Sequence, residues 1–167
     1  IDPALFSPAG LKLAALLHDV AKPSTKTVEP SGRIRFLGHD KEGGETAATV
    51  LKRLRLSRRT VELVRTMVTH HLRPSQMAPP GEMPSGRAVF RYYRDLGDAA
   101  IDTLFLSLED HLAARGPGLE RDEWSRKCNM VGHILREGRE RSAPDVLPKV
   151  LNGGDLMGVF SLSPGPR

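Results

Sequence analysis

A histidine is followed directly by an aspartate twice in this chain, at His18-Asp19 in LLHDVAKP and at His39-Asp40 in FLGHDKEGG. Neutral imidazole nitrogens and carboxylate oxygens together suit divalent cations such as Mg, Mn, Fe, Co or Ni. The two pairs differ in setting. His18-Asp19 follows the apolar run Leu11 to Leu17, so both side chains are expected at least partly inside. There such groups are usually paired, differently protonated or bound to a metal. His39-Asp40 follows Gly38 and precedes KEGG, a polar helix entrance in which Asp40 reads as a solvated cap. Neighbours on one helical turn point about 100° apart, so His18 and Asp19 share a cation only beyond a helix end, or bridge two. Further ligands must come from other segments, with His70 at the end of the Val61 to His71 run and Asp110 in LSLEDHLAARG as candidates. His71 shares an apolar face with Val64 and Val68 and reads as a core histidine. His111 is placed to orient Asp110, and His133 reads as structural.

Ligands this far apart in sequence require several helices meeting in a bundle. The fold class expected is all-α, with a short β-hairpin near residues 25–36. Leu11 to Val20 forms a compact apolar segment, and Pro23 is expected to end it and open an irregular stretch. Thr25 to Val28 and Arg33 to Phe36 are β-prone around the turn Pro30-Ser31-Gly32. Glu45 to Arg55 places Ala47, Ala48, Leu51 and Leu54 on one face. Ser57 caps the next helix, which stops before Pro74, and PSQMAPPGEMPSG is a loop. Ser85 caps a helix to Leu96, with Val89, Tyr92, Tyr93 and Leu96 inward. Ala99 to Arg115 is amphipathic through Ile101, Leu104, Phe105, Leu108 and Leu112. Leu119 to Arg141 turns Trp124, Met130, Val131, Ile134 and Leu135 inward. A short helix near Asp145 to Leu151 and the Gly-rich LNGGDLM segment follow.

Composition sets the outer bounds. With 39% hydrophobic and 27% charged residues, 167 residues suit one domain or one domain with a tail. No apolar run reaches the roughly 18 residues that span a bilayer, so no membrane partner is expected. The lone Cys128 cannot form an internal disulfide and reads as a small buried hydrophobe, which places the chain in the reducing cytoplasm. A net charge of +5 mildly favours anionic partners. Arg53, Arg55, Arg58, Arg59 and Arg65 cluster across one helix-turn-helix, a solvated face or a set of RNA phosphate contacts.

The blocks LLHDVAKP, FLGHDKEGGETAATVLKRLRL, MVTHHLRP and LSLEDHLAARGP, in this order, resemble the HD superfamily of metal-dependent phosphohydrolases. More narrowly, the chain resembles the HD domain carried C-terminally by bacterial proteins of the tRNA nucleotidyltransferase/poly(A) polymerase family. The segment VLNGGDLMGVFSLSPGPR is similar to that family's element after the HD region. The resemblance implies an HD domain over residues 1–142 and the start of a further helical segment over 143–167. It implies that His18 and Asp19 are paired metal ligands, with Asp19 bridging and catalytic where two metals bind. His39 and His70 are then the second-metal histidines, Asp110 the closing aspartate, and Lys22 a catalytic lysine beside the substrate phosphate. Arg73 offers phosphate a bidentate contact. A divalent metal is the expected cofactor; tRNA or an RNA 3′ end and nucleotides are the expected partners. The implied reaction is hydrolysis of a phosphomonoester or a 2′,3′-cyclic phosphodiester. No histidine precedes His18, where HD proteins usually carry one on an earlier helix, and the nucleotidyl-transfer motifs are not found in these residues. The chain is therefore expected to be a piece of a longer protein. The rival expectations are a non-catalytic module that positions tRNA and an independent nucleotidase.

Overall fold

The computed structural model describes residues 7–142 and residue 157. The expected helix near Asp145 and the LNGGDLM segment, apart from Met157, lie outside the described residues. The architecture is an all-α bundle with one small hairpin.

Helix α1 (Pro8–Leu17) starts where sequence chemistry favours it. The Ser7 side chain accepts from Gly10 N, and Pro8 occupies the first turn, where a missing N–H costs nothing. The helix ends earlier than expected, at Leu17, and His18 to Val20 form a turn. Pro23 does not open an irregular stretch. It sits in the first turn of the short helix α2 (Lys22–Thr25), again a position that a proline tolerates. Strands β1 (Lys26–Val28) and β2 (Ile34–Phe36) pair antiparallel, Lys26 facing Phe36 and Val28 facing Ile34. Gly32 supplies the positive φ that the connecting turn needs.

Helix α3 (His39–Arg53) begins six residues before the expected start, at His39 itself. Its N-cap is Gly38, and Asp40 lies in the first turn without capping it. Ala47, Ala48 and Leu51 are buried as expected, but Leu54 is 64% exposed because the helix stops at Arg53. Helix α4 (Arg58–His70) is capped by Ser57, which accepts from Thr60 N at 3.1 Å. Gly44 brings α3 and α4 close: a Cβ there would lie 2.1 Å from Thr69 Oγ1 and 3.2 Å from Arg65 O. After the short α5 (Arg73–Gln76) come α6 (Gly86–Leu96), α7 (Ala100–Arg115) and α8 (Arg121–Ser142).

Two apolar clusters result. The first joins Leu11 and Ala14 of α1, Ala47 and Leu51 of α3, Val61, Val64, Met67 and Val68 of α4, and Leu106 of α7. The second joins Val89 and Tyr92 of α6, Leu104 of α7, and Val131 and Ile134 of α8. Helix α7 therefore lies between both and carries Asp110 outward from them. The buried Asp102 accepts from Ser7 N at 3.2 Å, tying the start of α1 to α7. Among the described residues no helix is long and apolar enough to cross a membrane.

Candidate metal centre

Three helix ends supply imidazoles to one place. His18 is the C-cap of α1, His71 the C-cap of α4, and His39 the first residue of α3. Each ring is fixed in the same way. Nδ1 of His18 bonds Ala15 O at 2.8 Å, Nδ1 of His39 bonds Phe36 O at 2.6 Å, and Nδ1 of His71 bonds Val68 O at 2.7 Å. A carbonyl only accepts, so each Nδ1 carries the proton and each neutral ring keeps its Nε2 lone pair for a ligand. The His71 ring lies 5.3 Å, centroid to centroid, from the rings of both His18 and His39.

Two carboxylates complete the group. His18 Nε2 is 3.2 Å from Asp19 Oδ2 and 3.4 Å from Asp110 Oδ1, while His39 Nε2 is 3.6 Å from Asp19 Oδ1. The donors fall into two sets that share Asp19: His18, Asp19 and Asp110, and Asp19, His39 and His71. His18 Nε2 and Asp19 Oδ1 are buried without a hydrogen-bond partner, an arrangement that costs free energy unless something else satisfies them. Lone pairs on nitrogen and oxygen facing one another across a few ångströms fit a divalent cation. Lys22 Nζ reaches Asp19 Oδ2 at 2.5 Å and lies 5.8 Å from the centroid of the Phe36 ring.

The expected residues do not all arrive here. The structure brings His18, Asp19, His39 and Asp110 together with Lys22 at their edge, but places His71 rather than His70 among them. His70 lines an open pocket with Lys41, Glu45 and Arg65, and burial, then Arg73, holds its pKa below the usual histidine value. Arg73 donates to Asp95 Oδ2 at 2.7 Å and lies over the Tyr92 ring. His111 does not orient Asp110. It stacks on Trp124 with planes 19° apart and approaches Glu123. His133 Nε2 contacts Pro84 O at 2.9 Å, a structural role. The arginines lie apart from the ligand group: Arg53, Arg55, Arg58 and Arg59 are exposed at the α3–α4 turn, and only Arg59 of these forms an ion pair, with Asp98, among the described residues.

Without a cation, the acid–base behaviour of the cluster has a defined sign. His18 is pushed above 6.5, chiefly by the Asp110 carboxylate that faces it, against the opposing effect of burial. Asp110 is correspondingly held below the usual aspartate range by His18. His71 is pushed below 6.5, first by burial. A raised histidine contributes stability that is fully present below its unfolded value of 6.5 and lost as pH rises through its folded value. A lowered one contributes stability that is present above 6.5 and lost as pH falls through its folded value. In chelator, Tm is therefore expected to peak close to pH 6.5, and Asp110→Asn should remove the alkaline decline while leaving the acid one. A decline that persists in the variant would place its origin elsewhere.

The HD domain family model matches residues 5–115. The chain is 34% identical over 165 residues, 96% of its length, to a CC-adding tRNA nucleotidyltransferase of Thermus thermophilus. It is 33% identical over 162 residues, 94% of its length, to an A-adding tRNA nucleotidyltransferase of Deinococcus radiodurans. It spans about a third of each relative, 34% in both cases. A match of this extent, on a helical bundle that gathers a paired histidine and aspartate with a later aspartate, makes the chain a member of the HD domain family.

Proposed function

We propose that His18, Asp19, His39, His71 and Asp110 hold one or two divalent cations, and that this centre hydrolyses a phosphomonoester or a 2′,3′-cyclic phosphodiester at an RNA end. The observation that carries the reading is the convergence of imidazole and carboxylate lone pairs on one place, two of them buried and unsatisfied. A bound cation supplies Lewis-acid polarisation of a phosphoryl oxygen and a water of lowered pKa. The protein's own part is positional. Backbone carbonyls fix the tautomer of the three histidines. Lys22 orients the Asp19 carboxylate and sets a positive charge at the edge of the cluster, where a phosphate oxygen is received. Arg73 reaches a phosphate only by leaving Asp95. The similarity to tRNA nucleotidyltransferases supports an RNA end as the substrate, within a longer protein of that kind. Elemental analysis of the purified chain should find about one or two ions per chain. Chelator should abolish hydrolysis of 2′,3′-cyclic AMP or a phosphomonoester. A metal-free chain after exposure to Mg, Mn, Fe, Co and Ni would overturn the reading.

A second reading, that the module positions tRNA, has its own observation. At the α3–α4 turn Arg53, Arg55 and Arg58 are exposed and form no ion pair among the described residues. Removing one cation that neutralises a phosphate lowers the slope of log binding constant against log salt by roughly one. The double variant Arg53→Glu, Arg58→Glu is therefore expected to bind tRNA more weakly at low salt and to flatten that slope. An unchanged slope would mean that this face is only solvated.

A further inference from the structure

Helix α6 turns Val89, Tyr92 and Leu96 into the second apolar cluster. At about 100° per residue these three lie within one arc of roughly 60°. Arg87, Phe90, Arg91 and Arg94 lie within another arc of about 100° on the opposite side, and all four are exposed. Phe90 is 53% exposed, although an aromatic ring gains most from burial. On the helix surface its neighbours are Arg87, three residues before it, and Arg94, four residues after it. The ring thus stands on a face shared with three guanidinium groups.

The charge of this face is largely uncompensated. Arg87 and Arg91 form no ion pair among the described residues. Arg94 donates to Asp95 Oδ1 through Nε at 2.8 Å and approaches it through Nη2 at 2.7 Å. Arg73 donates to Oδ2 of the same carboxylate at 2.7 Å. One carboxylate therefore serves two guanidiniums, and four arginines less one aspartate leave a charge of +3. Arg73 also shows where the positive track leads, since it opens α5 two residues after His71 of the metal centre.

A partner for this face must offer repeated negative charge and a flat group that stacks. Single-stranded RNA offers both, because basic side chains follow its phosphates and aromatic rings stack on its bases. Arg87 to Arg94 covers about 10 Å of helix axis, more than one internucleotide step. A membrane-surface helix has the reverse layout, with a broad apolar face turned outward. Here the apolar face is inward and one ring is outward.

We propose that Arg87, Phe90, Arg91 and Arg94 bind single-stranded RNA, with a base stacked on Phe90 and the strand leading past Arg73 to the metal centre. The inference rests on the RNA-end reading above and deepens it, by seating the nucleotides that precede the reacting end.

The test measures binding of a labelled single-stranded RNA about ten nucleotides long to the full chain. It is done in chelator, so that no metal takes part. Phe90→Leu keeps apolar bulk and removes the ring, and it should weaken binding about tenfold at every salt concentration. Phe90→Trp should retain the affinity. Arg87→Ala combined with Arg91→Ala should flatten the slope of log binding constant against log salt by roughly 1.4. Helical circular dichroism should stay at the wild-type level, since each of these side chains is exposed. Equal RNA affinity in Phe90→Leu overturns the proposal. So does a wild type that binds no such RNA, whether or not it binds vesicles of anionic phospholipid. Should Phe90→Leu fail to fold, the arginine variant decides, and an unchanged salt slope overturns the assignment. A chain that binds the RNA through Phe90 but takes up no metal retains this surface and overturns only the hydrolytic reading.

Discussion

Asp19→Ala is expected to empty the metal centre completely, from about one or two ions per chain to a trace, because both donor sets pass through this one carboxylate. His71→Ala or His39→Ala should instead leave the set formed by His18, Asp19 and Asp110. Asp110→Ala should leave the set formed by Asp19, His39 and His71. Elemental analysis of the four variants therefore gives a pattern, not a single number. Hydrolysis by Asp19→Ala should fall about 10³-fold, the scale of several kcal/mol of forfeited electrostatic stabilisation. The fold should survive, since Asp19 is about a third exposed and its partner Lys22 more so. If Asp19→Ala unfolds while its metal content is unchanged, the pair is structural and the catalytic reading fails.

Gly138→Ala is expected to destabilise the chain by about 1–3 kcal/mol through overpacking. The sign makes this informative. In the interior of a helix such as α8, propensity alone would have alanine stabilise by about 1 kcal/mol over glycine. Against that stands the Tyr93 ring: a Cβ at position 138 would lie 2.1 Å from Cε2 and 2.3 Å from Cζ. Tyr93 cannot yield easily, because its ring packs edge-on to the buried Tyr92 and its hydroxyl donates to Ile134 O. Thermal unfolding should show a Tm lowered by several degrees. A raised Tm would mean that the Tyr93 ring moves aside at little cost.

Much of this arrangement could be read from residue order. Ser57 and Ser85 announced helix starts because a side-chain oxygen before an apolar-periodic run has a backbone N–H to accept from. The hairpin followed from β-prone runs around a glycine turn, and His18-Asp19 from its place after an apolar run. The histidine pair was harder. His70 and His71 are adjacent, and one position on a helix end decides which ring turns inward. The cue was the burial of His71 with Val64 and Val68, which reads equally well as a core histidine until His18 and His39 are seen beside it. Leu54 misled because period alone does not show where a helix stops. Arg55, with a positive φ of 58°, marks that stop in the backbone.

The direction of the helices adds a field to the donors they carry. Both α1 and α4 end at the cluster, so two helix C-termini converge there, against the single N-terminus of α3. A helix terminus acts as about half an elementary charge, negative at the C-terminal end. The backbone thus adds to the two carboxylates in attracting a cation, and repels an anion by the same amount. A phosphate approaching the bare cluster meets the two carboxylates and these helix ends, offset only by Lys22; the cation proposed above would offset that field further. If the cluster holds a cation as proposed, binding is expected to be ordered, cation first and phosphoester second.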